Sequence, residues 1–242
     1  MKTVDVCLSP DLLHLHKVSN KIVVVVDILR ATSCMTTGIA HGVNSIIPFA
    51  DMEECMLMSA KGFLTAGERN GKKIDGFDLG NSPYDYMDEA VKGQDVAVTT
   101  TNGTRAIEKS KGAVEVVIGA FLNISAVAEY LRAKNMDVLI LCAGWKGKVN
   151  LEDSLFAGAL SEALKPDFEH ACDAPMLAET SYNFMKHDIV ARVQSSSHAK
   201  RLNRLNVHKD IEFCLKHDEY DVVPVLQEGK IVALNNQQNR NQ

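Results

Sequence analysis

Short apolar runs set at intervals along the chain predict its strands. Val4 to Leu8, Ile22 to Val26, Ser45 to Phe49, Asp95 to Thr100, Val114 to Ile118 and Val138 to Cys142 are rich in Val and Ile. They show little polar alternation, as strands buried on both faces do. Between them, Thr32 to Ala40, Glu53 to Lys61, Tyr84 to Lys92, Thr104 to Lys109 and Ile124 to Lys134 read as helices. Such alternation predicts a layered α/β/α fold around a largely parallel, mixed sheet. From Leu151 to His217 the pattern turns more helical. It closes on two strand candidates, Val222 to Leu226 and Lys230 to Leu234, with Gln227-Glu228-Gly229 between them, the mark of a terminal hairpin. The expectation is one α/β domain over residues 1–234, open to a two-lobed arrangement, followed by a disordered polar tail at 235–242.

Composition narrows the functions. The 242 residues carry a net charge of -5 with 46% apolar residues, so a general nucleic-acid surface is not expected. An anionic ligand must then be met by a local positive pocket. Asp5 interrupts the first ten residues where a signal peptide would need an apolar run. The run Ile22 to Val26 is too short to span a membrane. The six cysteines form no C-x-x-C pair and sit mostly among apolar neighbours, as core thiols of a reducing compartment do. The expectation is a cytoplasmic protein that engages neither nucleic acid nor membrane; a homodimer is compatible with it.

Polar punctuation at the strand ends carries the candidate chemistry. Asp27-Ile-Leu-Arg30-Ala-Thr32-Ser33 follows the second strand. There a carboxylate and a guanidinium precede a helix start whose free amides attract phosphate oxygens. A structural Asp–Arg pair with an ordinary cap explains the same residues. Thr99-Thr-Thr101-Asn102-Gly103-Thr104-Arg105-Ala106 repeats the punctuation after a later strand, with hydroxyls, an amide and an Arg suited to an oxyanion. In both copies Arg comes three residues after the polar strand end. A Gly and a Val/Ile-rich strand follow, which points to internal duplication or to convergence of two strand–turn–helix units.

Two further segments add carboxylates and cations. Gly67-Glu68-Arg69-Asn70-Gly71-Lys72-Lys73, running on through Asp78 to Asn81-Ser82-Pro83, has four glycines and many charges. It reads as a long functional loop, mobile until a ligand orders it. Glu152 and Asp153 open a helix after Cys142-Ala-Gly144; they suit the helix dipole or a magnesium ion. His198 reads as a helix-cap residue or a late-arriving acid. No P-loop, G-x-G-x-x-G fingerprint or Asp-x-Asp pair occurs.

Taken in order, these segments, with Leu151-Glu152-Asp153 to Ala157-Gly158, resemble one family across residues 20 to 165: the 2-phosphosulfolactate phosphatases of the coenzyme M pathway. The resemblance implies a Mg²⁺-dependent phosphatase releasing sulfolactate and phosphate. It carries over Asp27, Arg30, Glu68, Arg69, Asn81, Asn102, Arg105, Glu152 and Asp153 as candidates without assigning roles. Such a substrate bears phosphate, carboxylate and sulfonate on three carbons, so it needs several cations.

The resulting expectation has Asp27, Glu152 and Asp153 holding Mg²⁺. Asp27, Arg30, Glu68, Asn102 and Arg105 act on the phosphoryl group, with Glu68 as acid or base and Asp27 as an alternative nucleophile. Thr32, Ser33, Arg69, Asn81, Ser82, Thr101, Gly103 and Thr104 bind a small anionic phosphoester. Rival readings are a non-catalytic sensor of an anionic metabolite and an isomerase or aldolase of a phosphorylated hydroxy acid.

Overall fold

The computed structural model describes residues 1–203, 205 and 207–234; the tail expected at 235–242 lies outside them. In chain order the first part comprises β1 (Lys2–Cys7), β2 (Ile22–Val26), α1 (Ala31–Ala40), β3 (Ser45–Pro48), α2 (Met52–Leu57), β4 (Leu64–Arg69) and β5 (Lys72–Lys73). The middle holds β6 (Asp95–Thr99), α3 (Gly103–Lys109), β7 (Glu115–Gly119), α4 (Ile124–Lys134) and β8 (Val138–Cys142). The last third adds α5 (Leu151–Leu164), β9 (Phe168–His170), α6 (Asp173–Met185), α7 (Ile189–Gln194), α8 (Ser197–Asn203), α9 (His208–Cys214), β10 (Pro224–Gln227) and β11 (Lys230–Ala233).

The α/β expectation holds. All strands join one mixed sheet of order β5-β4-β6-β3-β11-β10-β7-β2-β8-β1-β9. Every residue of β2 is buried. Ile22, Val24 and Val26 pack into a core shared with α4 and α5, while Val23 and Val25 pack into a core shared with α1 and α3. That two-sided burial is why the sequence shows an unbroken apolar run there.

The terminal hairpin forms as expected, but at the middle of the sheet. β11 pairs antiparallel with β3, β10 with β11, and β10 with β7. Three reversals leave the parallel set β4-β6-β3 running opposite to the parallel set β7-β2-β8-β1-β9. The two repeat units sit symmetrically across this hairpin. β2–α1–β3 crosses it one way and β6–α3–β7 the other. The carboxyl ends of β2 and β6 nonetheless meet. A Cβ on Gly103 would lie 2.7 Å from Ala31 Cβ and 2.9 Å from Asp27 Oδ2. The sheet must curl to bring them together, in keeping with the twist that accumulates across adjacent strands.

Two expectations need correction. Tyr84 to Lys92 is not a helix but two 3₁₀ turns, Pro83–Met87 and Glu89–Val91, broken by extended Asp88. The Asp88 side chain caps the second turn by accepting from the Ala90 amide. The segment from Gly67 to Gly80 is not an unpinned loop. β4 and β5 form a hairpin with Glu68 opposite Lys73 and Arg69 opposite Lys72. Asn70 and Gly71 make its turn with φ of 55° and 83°, the left-handed pair that an Asn-Gly turn needs. Leu79 then bridges back to Ala66, and Asp78 accepts from both the amide and the hydroxyl of Thr65.

Candidate active site

Asp27 leaves the end of β2 and is held by its own turn. Its amide donates to Thr32 Oγ1 at 3.0 Å, and its carbonyl accepts from the Thr32 amide at 3.0 Å. Ser33 donates to the Ile28 carbonyl. Thr32 and Ser33, expected to touch substrate, thus shape the turn instead. The carboxylate of Asp27 lines a cavity of about 310 Å³ with Leu29, Arg30, Glu68, Asn102 and Trp145 among its walls. That volume suits a small ligand.

Four buried carboxylates gather around this strand end: Asp27, Glu68, Glu152 and Asp153. Burial pushes the Asp27 carboxyl up to about 7. Neighbouring Glu68 and Glu152 push the same way, while His198 opposes. Asp153 is raised well above the carboxylate range by burial, then by Glu152 and Asp27.

Their bonding divides the four. Asp153 accepts from the Ile28 amide at 2.9 Å and the Gly144 amide at 3.0 Å. It thereby ties α5 to the ends of β2 and β8, and both oxygens are engaged. Glu68 likewise accepts from the Gly71 and Thr101 amides at 2.6 and 2.7 Å. Its placement as an acid or base would cost both bonds; as it stands it locks the β4–β5 turn to the end of β6. Glu152 differs. Its Oε1 pairs with His198 Nδ1, and its fully buried Oε2 has no partner among the described residues. Buried oxygens are seldom left so. Thr101 Oγ1, on the cavity wall, is also unpartnered.

The remaining expected residues separate. Asn81 lines the cavity, and Ser82 donates to Asp210 Oδ1 at 3.0 Å. Arg30 is buried and pairs with Asp210 of α9, while its second nitrogen donates to the Gly71 carbonyl at 3.0 Å. Arg69 donates to the Glu68 carbonyl and to Thr99 Oγ1. Thr104 bonds reciprocally with Thr100. Gly103 allows the close approach of α3 to Asp27. Arg105 does not enter the cavity: it is exposed and lines a separate 30 Å³ depression beyond Asn102. The phosphate clamp expected of Arg30 and Arg105 together is therefore not assembled.

Sequence reasoning missed Arg201 and Trp145 and left His198 as a helix cap or a late-arriving acid. All three line the cavity. They lie on the β8–α5 loop and α8, and no local pattern joins residues so far apart.

Oxygen-only donors fit magnesium, which takes one or two carboxylates and completes its shell with water and substrate phosphate. Asp27 and the unpartnered Glu152 Oε2 meet that description; Asp153 is occupied. Among the described residues no set of three or more His, Cys, Asp or Glu is arranged to hold a metal by itself.

Comparison with known proteins decides the family. The family model described as 2-phosphosulpholactate phosphatase matches residues 7–229. The chain belongs to the 2-phosphosulfolactate phosphatase family. It is 44% identical over 218 residues to the probable 2-phosphosulfolactate phosphatase of Caldanaerobacter subterraneus subsp. tengcongensis, covering 86% of this chain and 89% of that one. The corresponding Thermotoga petrophila protein is 40% identical, over 95% of this chain and 97% of its own. That of Clostridium tetani is 35% identical over 94% and 99%. Family membership bears out the resemblance read from the strand-end motifs, and its members' names are those of phosphoric monoester hydrolases. Among the described residues no helix is long and apolar enough to cross a membrane.

Proposed function

We propose that this protein hydrolyses the phosphate ester of 2-phosphosulfolactate, with Mg²⁺ as its cofactor. The observation that carries the reading is the buried Asp27–Glu152 pair beside the cavity, one carboxyl raised to about 7 and the other with an unpartnered oxygen. A pure anion binder gains nothing from carboxylates facing its ligand. Asp27 and Glu152 would hold Mg²⁺, which when bound neutralises phosphate charge and draws electron density from phosphorus.

The protein's own groups position and exchange protons. Thr101 Oγ1 and the Asn102 and Asn81 amides offer neutral donors to the phosphoryl oxygens. A carboxylate oxygen of Asp27 takes a proton from the water that attacks phosphorus in line. The P–O bond to the substrate carbon breaks on the opposite side. Glu152 holds His198 by Nδ1, which leaves Nε2 as the ring atom that would supply the leaving oxygen with its proton. Phosphate and the hydroxy acid are released.

The test is phosphate release from synthetic 2-phosphosulfolactate by the purified protein, with Mg²⁺ and with EDTA. Turnover that EDTA abolishes and Mg²⁺ restores is expected. No release from this or any simple phosphomonoester would remove the reading.

A further inference from the structure

We infer that Arg201, stacked on Trp145, recognises the sulfonate of the substrate and sets the selectivity of the site. The inference rests on the phosphatase reading for the identity of the ligand, but its geometry is independent of the chemistry at phosphorus.

Among the described residues, two arginines line the cavity, Arg30 and Arg201. Arg30 is buried and spent on Asp210 and the Gly71 carbonyl. Arg201 is half-buried, and among the described residues no carboxylate lies within ion-pair distance of it. Arg69, with its two internal acceptors, and exposed Arg105 are absent from the cavity wall. The carboxylates on the floor repel any anion that a metal does not gather. A second acidic group must therefore be met by a cation of the wall, and among the described residues Arg201 is the lining guanidinium with no carboxylate partner.

Its neighbours fix it for that purpose. The Arg201 guanidinium carbon lies 3.9 Å from the centre of the Trp145 ring, close enough for a strong cation–π contact. Stacking occupies a face of the guanidinium and leaves its edge N–H groups free to grip two oxygens at once. Trp145 is itself held. Its amide donates to the Lys148 carbonyl at 2.8 Å and its carbonyl accepts from the Lys148 amide at 3.0 Å. Lys146 and Gly147 make the turn at φ of 50° and 78°. Leu29, Leu202 and Leu205 line the same cavity. An apolar, aromatic wall bearing one weakly hydrated guanidinium suits a weakly hydrated, permanently charged sulfonate. The sulfonate also stands one carbon farther from the ester than the carboxylate, so it reaches farther from the floor.

The decisive measurement is a ratio. kcat/KM is determined for 2-phosphosulfolactate and for 2-phospholactate, which lacks only the sulfonate, in the native protein and in Arg201→Met and Arg201→Lys. Losing a charge-assisted, two-point contact should lower the ratio by about 10- to 100-fold in Arg201→Met. The fall should lie mainly in KM, because the sulfonate is bound alike before and during reaction. Arg201→Lys should fall between, and Trp145→Leu should lower the ratio by about 2- to 5-fold. Trp145 is the sole tryptophan, so its fluorescence reports on the pocket directly. Sulfolactate should shift the emission of the native protein, and the titration midpoint should rise by a similar 10- to 100-fold in Arg201→Met. A ratio constant within twofold, with both substrates falling together, overturns the assignment, as does an unaltered sulfolactate titration. If the native protein hydrolyses neither ester, the phosphatase reading fails by itself, and the sulfolactate titration still decides the role of Arg201.

Discussion

The two strand ends with matching sequence punctuation have different fates. At the first, Asp27 and Arg30 are both buried, and Arg30 is held by Asp210 from α9. At the second, Asn102 accepts a single bond from the Lys146 amide at 3.2 Å, and Arg105 faces outward. Spacing is the same in both; what differs is the partner contributed from elsewhere. The last third of the chain supplies Asp210, His198 and Arg201 to one side of the meeting point. Equivalent local sequence thus becomes a charged, closed half and a neutral, open half of one site.

That contrast can be broken most sharply at its polar residues. Asp27→Asn should reduce phosphate release by about 10²- to 10⁴-fold, the usual worth of a positioned proton acceptor, measured at saturating substrate and Mg²⁺. A loss under about tenfold would move the base elsewhere.

The arginines come next. Arg30→Met should destabilise the fold by about 3–5 kcal/mol in urea unfolding, because it strands the buried Asp210 carboxylate. Pairing it with Asp210→Asn should recover part of the loss. Gly103→Ala should cost about 1–3 kcal/mol, since the new Cβ would overlap Ala31 and Asp27. The helix-propensity gain of about 1 kcal/mol is too small to reverse the sign. Ala31→Gly in the same chain should relieve it.

A titration sharpens the same comparison. The Asp27 carboxyl is raised in the folded, metal-free protein to about 7, against about 4 in an unfolded chain. The folded state therefore holds this proton more tightly. The stability it contributes is fully present below about pH 4 and is lost as pH rises through about 7. Mg²⁺ must displace that proton, so its affinity should weaken about tenfold per pH unit below 7. Calorimetry across pH reads the slope, and Asp27→Asn should abolish it. Smallest of all, Arg105→Met should change stability by no more than about 0.5 kcal/mol.

Much of the framework was legible because its signals are local. β2 and β8 match the expected runs residue for residue, since burial on both faces leaves no polar position to blur them. Asp27 was legible for the same reason: it is the first charge after five apolar residues. β4 was missed because Leu64–Arg69 mixes Gly, Glu and Arg, and those charges are bonded to backbone only after the Asn70–Gly71 turn closes. Arg201 was not legible as a site residue, and His198 was legible only as one of two readings, a helix cap or a late-arriving acid. They sit on the seven-residue α8, and what places them is contact with Glu152 and Trp145, about fifty residues away in the chain. Arg105 misled because its repeat partner, Arg30, owes its position to Asp210 and not to the repeat.

The central hairpin has a consequence for how such a chain is made. Residues 224–233 fill the middle of the sheet, yet a ribosome delivers them after every other strand. Until then β3 and β7 each present an open row of amides and carbonyls, as edge strands that neighbouring nascent chains can pair with. Helices α7, α8 and α9, which bring the cavity its last residues, emerge just before them. Synthesis therefore holds two half-sheets apart until residues 224–233 emerge, and the keystone that joins them arrives when the wall of the site has already been translated.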